Sequence, residues 1–271
     1  SAASDVYKRQ SLANDGDCLQ VPGVGVFQVI DESDATRYFR VHTRRTWCDC
    51  ETPFVDTIYG CQKFTLHDTF MLFALGGRMF FEMGRFDKAQ ITRMYEGIAG
   101  CGKTTIIKSE QVFWPPHLMG FLSANIEPKF GMSSVLKEGK VRAIYCNEVS
   151  DDISLIQEEW QTSTSNEVGS YAVKNQRPLV VTCKANMLWV GNGFPKKWKN
   201  KQGQVSRRLA GVYLSYPIFP RRGNVLDLLK QQMGQYQRRL VLAYFDFFAQ
   251  YGDVDPMSVL KALPPAFLEY Y

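Results

Sequence analysis

The chain has 271 residues, 45% of them hydrophobic and 22% charged, which is the composition of a globular protein long enough to bury a sizeable core. It contains no run of about 18 apolar residues, so no membrane span is predicted and no membrane is expected as a partner. The formal net charge of +5 has the sign expected of a protein that handles a polyanion.

Residues 1–65 mix short strand-like and polar pieces, and no fold is predicted for this N-terminal segment. Its first ten residues have the character of a non-native extension, and the chain is expected to be a fragment. The seven scattered cysteines indicate free thiols in a reducing, intracellular compartment. A zinc site built from Cys48, Cys50 and Cys61 with His42 or His67 stays open, although a gap of one residue fits the usual ligand spacing poorly.

A helical lead-in is predicted over residues 66–88, and the next region begins with a motif. Residues 97–104 read Gly-Ile-Ala-Gly-Cys-Gly-Lys-Thr, which is G-x-x-x-x-G-K-[ST] between a strand-like segment 90–95 and a helix-like segment 104–112. In such a turn the backbone N–H groups and the helix dipole face phosphate oxygens. The sequence therefore predicts a phosphate-binding loop.

ATP is the expected ligand of this loop, with Mg²⁺ bound through the nucleotide. Lys103 can reach the β- and γ-phosphates, and the hydroxyl of Thr104 can hold Mg²⁺. The predicted nucleotide contacts are Gly97, Ile98, Ala99, Gly100, Cys101, Gly102, Lys103, Thr104 and Thr105.

Alternating strands and helices over residues 89–222 predict an α/β domain with helices on both faces of its sheet, and core strands at 118–122, 141–146 and 187–190. The second of these strands leads into Asn147 and Glu148. Glu148 is the predicted catalytic carboxylate, which orients or deprotonates the attacking water and helps to hold Mg²⁺. Asn147 occupies the position where an aspartate usually supports Mg²⁺, and its neutral carbonyl is a weaker second candidate.

The third strand is followed by a longer signature. Met-Leu-Trp-Val-Gly-Asn-Gly-Phe-Pro at 187–195, then Trp198 and Gly-Gln-Val-Ser-Arg-Arg at 203–208, resembles the closing motifs of superfamily 3 helicases. The likeness is greatest to the primase-helicases of poxviruses and other nucleocytoplasmic large DNA viruses, and it covers residues 70–248.

The resemblance implies a P-loop NTPase of the AAA+ type with a three-layer α/β/α core. It implies a homo-oligomer, a hexameric ring that hydrolyses ATP between subunits and moves on single-stranded DNA. A primase module would lie upstream, and a viral protein would work at a cytoplasmic replication site or in the nucleus of the host.

The resemblance also implies roles for individual residues. Asn192 would sense the γ-phosphate, and Arg207 or Arg208 would supply an arginine finger to the neighbouring subunit. Lys174 would contact DNA from a hairpin near 167–175. From the residues alone, an alternative is that Asn192 belongs to an Asn-Gly turn and that the arginines are a solvated basic pair.

Further basic residues, interleaved with Trp189 and Trp198, are candidates for contact with the nucleic-acid backbone. They are Arg177, Lys184, Lys196, Lys197, Lys199 and Lys201. The segment 196–201 can also be an ordinary surface loop.

A C-terminal helical region is predicted over residues 223–271. Apolar residues from Leu229 to Phe247 recur at spacings of three and four on a helix closed by Gly252, which predicts a core-facing stripe. Arg238 and Arg239 are expected on the opposite, solvated side.

Two other functions stay open. A small-molecule P-loop phosphotransferase would share the loop but needs a lid and an acceptor pocket, and no arginine-rich lid is visible. A degenerate nucleotide-binding assembly module, damaged at Asn147, would bind nucleotide without turnover.

Overall fold

The computed structural model describes residues 17–21, 25–29, 47–49, 52–83, 91–123, 131–137, 141–150, 153–193, 195, 197–218, 224–252, 254–260 and 267–268. The predictions for residues 1–10, for His42 and Lys196 and for the side chain of Cys50 lie outside this part. The chain divides into two compact units, residues 1–80 with 222–252 and residues 81–221 with 253–271.

The helices and strands are named here in chain order. They are β1 (Asp17–Val21), β2 (Gly25–Val29), α1 (Pro53–Gly60), α2 (Leu66–Arg78), β3 (Thr92–Gly97), α3 (Lys103–Gln111), β4 (Met119–Leu122), α4 (Gly131–Leu136), β5 (Ala143–Val149), α5 (Gln157–Thr164), β6 (Val168–Tyr171), β7 (Leu179–Thr182), β8 (Asn186–Gly191), β9 (Leu209–Leu214), α6 (Val225–Gln231), α7 (Met233–Tyr251), α8 (Pro256–Leu260) and β10 (Phe267–Leu268).

The first unit is built on the packing of α2 against α7. A capping box starts α2, because the Asp68 N–H donates to the Thr65 hydroxyl while the Thr65 N–H donates to the Asp68 carboxylate. Gly77 of α2 meets the backbone carbonyl of Leu240 so closely that a Cβ there would overlap it. The two helices therefore approach each other at a point where only glycine fits.

The predicted stripe of the C-terminal region is buried, as expected, but it lies on two helices. Leu229 belongs to α6, and Met233, Tyr236, Leu240, Tyr244 and Phe247 belong to α7. The break falls at Gln232, whose φ of −107° and ψ of 3° are not helical and whose N–H donates to the Leu229 carbonyl.

The expectation that Arg238 and Arg239 face solvent is wrong. Arg238 is 8% exposed, and the guanidinium of Arg239 forms an ion pair with Asp56. The same guanidinium lies 4.7 Å from the ring centroid of Phe73. A long side chain can bury its stem and still satisfy its charge, and helical periodicity alone does not distinguish this arrangement from solvation.

The second unit contains a six-stranded sheet in the order β10-β9-β3-β8-β5-β4. The five strands from β9 to β4 are parallel, and β10 is antiparallel to β9. The predicted core strands at 118–122, 141–146 and 187–190 correspond to β4, β5 and β8. The predicted α/β class is therefore confirmed as a parallel five-stranded sheet flanked by helices.

Side-chain alternation on β5 shows helices on both faces of this sheet. On one face the Tyr145 hydroxyl donates to the backbone carbonyl of Glu110 in α3, at 3.3 Å. On the other face Ile144 and Cys146 belong to a buried cluster with Met132 of α4 and Trp160 of α5. The cluster also contains Trp189 and Trp198, whose rings pack against that of Trp160.

A buried ion pair joins β3 to α3. Arg93 and Glu110, 4% and 2% exposed, form two side-chain hydrogen bonds, one of them 3.1 Å long. We expect Glu110→Ala to lower the free energy of unfolding by about 3–5 kcal/mol, because it leaves a buried guanidinium without its counter-charge. Urea denaturation followed by tryptophan fluorescence measures this loss.

Lys184→Ala is the matched control. Its ammonium is 3.3 Å from Glu82, but its side chain is 56% exposed, so the cost should stay below about 1 kcal/mol. Equal decreases in the free energy of unfolding in the two variants would contradict the larger stabilisation that we expect from the buried pair.

Within the part of the chain that the structure describes, no helix combines the length and apolar character needed to cross a bilayer.

Candidate functional site

The segment between β3 and α3 is a tight glycine turn. Gly97, Gly100 and Gly102 have φ values of 148°, 78° and 99°, which residues with a side chain rarely adopt. A Cβ on Gly97 would also overlap the backbone carbonyl of Leu214 in β9. The conformation and the space both require glycine at the start of this turn.

The ends of the turn are fixed while its middle is open. Cys101 is 1% exposed and anchors the turn in the core, whereas Ile98, Ala99 and Gly100 are exposed. The Lys103 ammonium donates to the carbonyls of Gly97 and Ile98, the second at 3.2 Å, and so lies across the turn. Thr104 is exposed on the first turn of α3. These groups can receive an anion from the solvent side.

Glu148 and Asn192 lie at the same edge of the sheet as this turn. The turn follows the carboxyl end of β3, Asn192 follows the carboxyl end of the neighbouring β8, and Glu148 lies near the end of β5, the next strand. Both side chains are exposed. In parallel sheets ligands bind at this edge, so the fold brings these sequence-predicted residues to a common side.

Backbone contacts fix Asn192 beside Glu148. Gly191 pairs with Val149, and the Asn192 N–H donates to the Val149 carbonyl at 3.3 Å. A Cβ on Gly191 would overlap that same carbonyl, so glycine permits the close approach of β8 and β5. Asn192 is thus held next to the residue that follows Glu148 in the chain.

Asn147 points to a different partner. Its side-chain carbonyl accepts a hydrogen bond from the Gln111 amide at 2.9 Å, at the C-terminal end of α3. No sequence signal linked these two residues, which are far apart in the chain. A carbonyl oxygen has two lone pairs, so in a metal-ligand role Asn147 would share this oxygen between the ion and Gln111.

The thiol of Cys146, one residue before Asn147, is a structural group. Burial raises its pKa to about 11, although its contact with the backbone N–H of Glu148 acts in the opposite direction. It is therefore a neutral thiol at physiological pH and does not contribute a charge or a nucleophile to this edge.

Arg207 and Arg208 lie at the opposite edge of the sheet, where the parallel strands begin. They immediately precede β9, and the Thr92 N–H at the start of β3 donates to the Arg208 carbonyl at 2.7 Å. Arg208 is 7% exposed and its guanidinium donates to the Gln204 carbonyl at 2.8 Å, whereas Arg207 is exposed. Burial lowers the pKa of Arg208, as does the charge of Arg207, while Glu167 raises it.

A hairpin of β6 and β7 starts beside these arginines. Glu167, whose negative charge raises the pKa of Arg208, directly precedes β6. Residues 172–178 connect the two antiparallel strands. Lys174 and Arg177 are exposed in this connection, where Asn175 has a φ of 56°. Lys174 thus lies near the tip of a hairpin, in the segment where the sequence predicted one.

The remaining nucleic-acid candidates divide by exposure. Trp189 is fully buried and Trp198 is 6% exposed, so the expectation that they alternate with basic residues on a binding surface is wrong. Both are core residues of the cluster around Trp160. Lys184 is paired with Glu82, and Lys197, Lys199 and Lys201 are exposed.

Among the described residues, no group of three or more His, Cys, Asp or Glu side chains lies close enough to hold a metal ion. Of the cysteines proposed as zinc ligands, Cys48 is exposed, and the Cys61 thiol donates a hydrogen bond to the backbone carbonyl of Thr57 at 2.8 Å.

Comparisons with known proteins give a likeness of fold. No protein-family model and no curated protein matches the sequence. The A form apo structure of the NrS-1 C-terminal region matches with a TM-score of 0.51 and 12% identity, over 76% of this chain and 50% of that one. Another apo structure of the NrS-1 C-terminal region matches with a TM-score of 0.51 and 11% identity, over 83% of this chain and 60% of that one. The chain thus spans 50–60% of the length of these structures.

Proposed function

We propose that this chain is the ATP-hydrolysing core of a superfamily 3 type DNA helicase, which works as a ring on single-stranded DNA during viral-type replication. The observation that carries the proposal is the joint position of the glycine turn, Glu148 and Asn192 at one edge of the parallel sheet, with the sequence motif G-x-x-x-x-G-K-[ST] in the turn. The fold likeness to the NrS-1 C-terminal region is consistent with it.

In this proposal the turn binds the phosphates of ATP through its backbone N–H groups and Lys103. The lysine then exchanges the carbonyls of Gly97 and Ile98 for phosphate oxygens. Thr104 and Glu148 are the residues that would hold Mg²⁺, and this ion would supply charge neutralisation at the phosphates. Glu148 orients the attacking water and takes its proton, and Asn192 hydrogen-bonds the γ-phosphate or that water.

Arg207 is the proposed finger rather than Arg208, because the buried guanidinium of Arg208 is engaged with its own chain. A finger at the opposite edge of the sheet from its own turn can act only on the ATP of a neighbouring subunit. A head-to-tail ring, a hexamer by resemblance, provides that arrangement.

Single-stranded DNA is the proposed polyanion. Lys174 and Arg177 at the hairpin tip would contact the phosphate backbone without reading the bases, as a translocating motor requires. Movement of the hairpin during the ATP cycle would carry the strand.

We expect Lys174→Ala to abolish the stimulation of ATP hydrolysis by single-stranded DNA while basal hydrolysis is retained, because the lysine is exposed in the connection between β6 and β7 and belongs to neither the glycine turn nor the strand ends that carry Glu148 and Asn192. Phosphate release with and without a DNA oligonucleotide measures this. Lys137→Ala removes another exposed lysine charge and should keep the stimulation. If DNA stimulates neither the wild type nor the control, the helicase proposal fails and a phosphotransferase becomes the better interpretation.

A second candidate, the nucleotide-binding module without turnover, is favoured by one observation. The Asn147 oxygen is bonded to Gln111 and carries no negative charge, which weakens the support for Mg²⁺. Measurable hydrolysis by the wild type, lost in Lys103→Ala, would exclude this candidate.

A further inference from the structure

The segment that follows β9 is attached to the glycine turn at both of its ends. The Ile98 N–H donates to the Leu214 carbonyl at 3.2 Å, and the Ile218 N–H donates to the Gly100 carbonyl at 3.0 Å. Between these bonds lie Ser215, Tyr216 and Pro217, and the proline restricts the backbone further. The two hydrogen bonds therefore fix the position of this segment relative to the glycine turn.

The order of the strands gives a direction to a nucleotide bound at the turn. Glu148 and Asn192 lie on the β8 and β5 side of β3, and the reacting γ-phosphate must lie toward them. The nucleoside end of the ligand must then extend to the other side of β3. That side is occupied by β9 and by the segment 214–218.

This side carries aromatic rings that are open to solvent. Tyr216 is 40% exposed, and it lies two residues from each of the two anchoring bonds, so its Cα is within about 7 Å of the Leu214 and Ile218 Cα atoms. Tyr213 of β9 and Ile98 of the turn are 37% and 38% exposed. Elsewhere in the second unit the large aromatic side chains described are mostly buried, and the exposed Phe121 lies on β4 at the other end of the sheet.

We propose that the segment 214–218 is a nucleobase subsite in which the ring of Tyr216 stacks on the base of the bound nucleoside triphosphate. A base offers a flat π-face to an aromatic ring, and such stacking is worth roughly 5- to 150-fold in affinity. The inference rests on the proposed ATP site and adds to it the residue that distinguishes a nucleotide from a bare polyphosphate.

The test compares two ligands that share the phosphates and differ in the base. Dissociation constants for the non-hydrolysable ATP analogue AMP-PNP and for inorganic tripolyphosphate are measured by calorimetry on the wild type, Tyr216→Ala and Tyr216→Phe. We expect Tyr216→Ala to weaken AMP-PNP binding by roughly tenfold and to leave tripolyphosphate binding unchanged. Tyr216→Phe keeps the ring and should bind AMP-PNP like the wild type.

The other outcomes distinguish a failure of the nucleobase subsite from a failure of the proposed ATP site. If the wild type binds tripolyphosphate as tightly as AMP-PNP, or if Tyr216→Ala weakens both ligands equally, the subsite is overturned while the phosphate site stands. If the wild type binds neither ligand, the proposed function fails and the subsite fails with it.

Discussion

Replacing Glu148 by Gln should lower the rate of ATP hydrolysis by about 10²–10⁴-fold while ATP still binds. The amide keeps the size of the side chain and its place at the end of β5, but it can no longer take a proton from the attacking water. In the proposed site the contacts to the nucleotide come from the glycine turn, Lys103 and Thr104, and the substitution leaves these residues intact. Single-turnover phosphate release gives the rate, and calorimetry with ATP gives the affinity.

The control for this variant is Glu158→Gln, which neutralises an exposed carboxylate in the first turn of α5. It should hydrolyse ATP at the rate of the wild type. A Glu148→Gln enzyme that is equally active would remove Glu148 from the mechanism. If the wild type binds ATP without hydrolysing it, and Asn147→Asp does not restore turnover, the nucleotide-binding module without activity is the correct interpretation.

Much of the second unit could be predicted from the sequence because its signals are local. A glycine turn, buried apolar strands and the residue that ends each strand are all readable within a few positions of one another. Strand β3 and helix α3 begin and end within two residues of the predicted segments 90–95 and 104–112. Parallel pairing then brings the ends of β3, β8 and β5 together, which follows from the α/β pattern.

Tertiary contacts account for what could not be predicted. Arg239 meets Asp56, and Asn147 meets Gln111, through pairings that no local spacing indicates. The basic residues that are candidates for nucleic-acid contact are interleaved with Trp189 and Trp198 in the chain, but chain proximity does not place the two rings on the same surface. Strand β8 is buried at all of its positions, because helices cover both faces of the sheet, and Trp189 therefore lies in the core.

Arg207 and Arg208 lie at the opposite edge of the sheet from the glycine turn. Arg207 precedes β9 at the edge where β3 begins, and the glycine turn starts where β3 ends. Five residue steps along β3, at about 3.3 Å each, separate the two edges by roughly 17 Å. This is beyond the reach of an arginine side chain, so Arg207 cannot contact ATP bound to its own turn.

Arg207→Ala should therefore reduce ATP hydrolysis by about 10³–10⁵-fold, the effect of removing an arginine that stabilises transition-state charge. Arg207→Lys should recover only part of the loss, because an ammonium cannot form the paired hydrogen bonds of a guanidinium. Thermal unfolding should be nearly unchanged in both variants, since the side chain is exposed. Phosphate release and a melting curve on the same samples check both statements.

Mixing two inactive proteins tests whether the arginine acts between subunits. Lys103→Ala lacks a working turn but keeps Arg207, and Arg207→Ala has the reverse defect. In a random head-to-tail ring, roughly a quarter of the interfaces would join an intact turn to an intact arginine, so the mixture should regain hydrolysis that neither protein has alone. Recovery that falls on dilution, as rings dissociate, would support the shared site. A mixture that stays inactive although mixed rings form would show that Arg207 does not complete a neighbour's site.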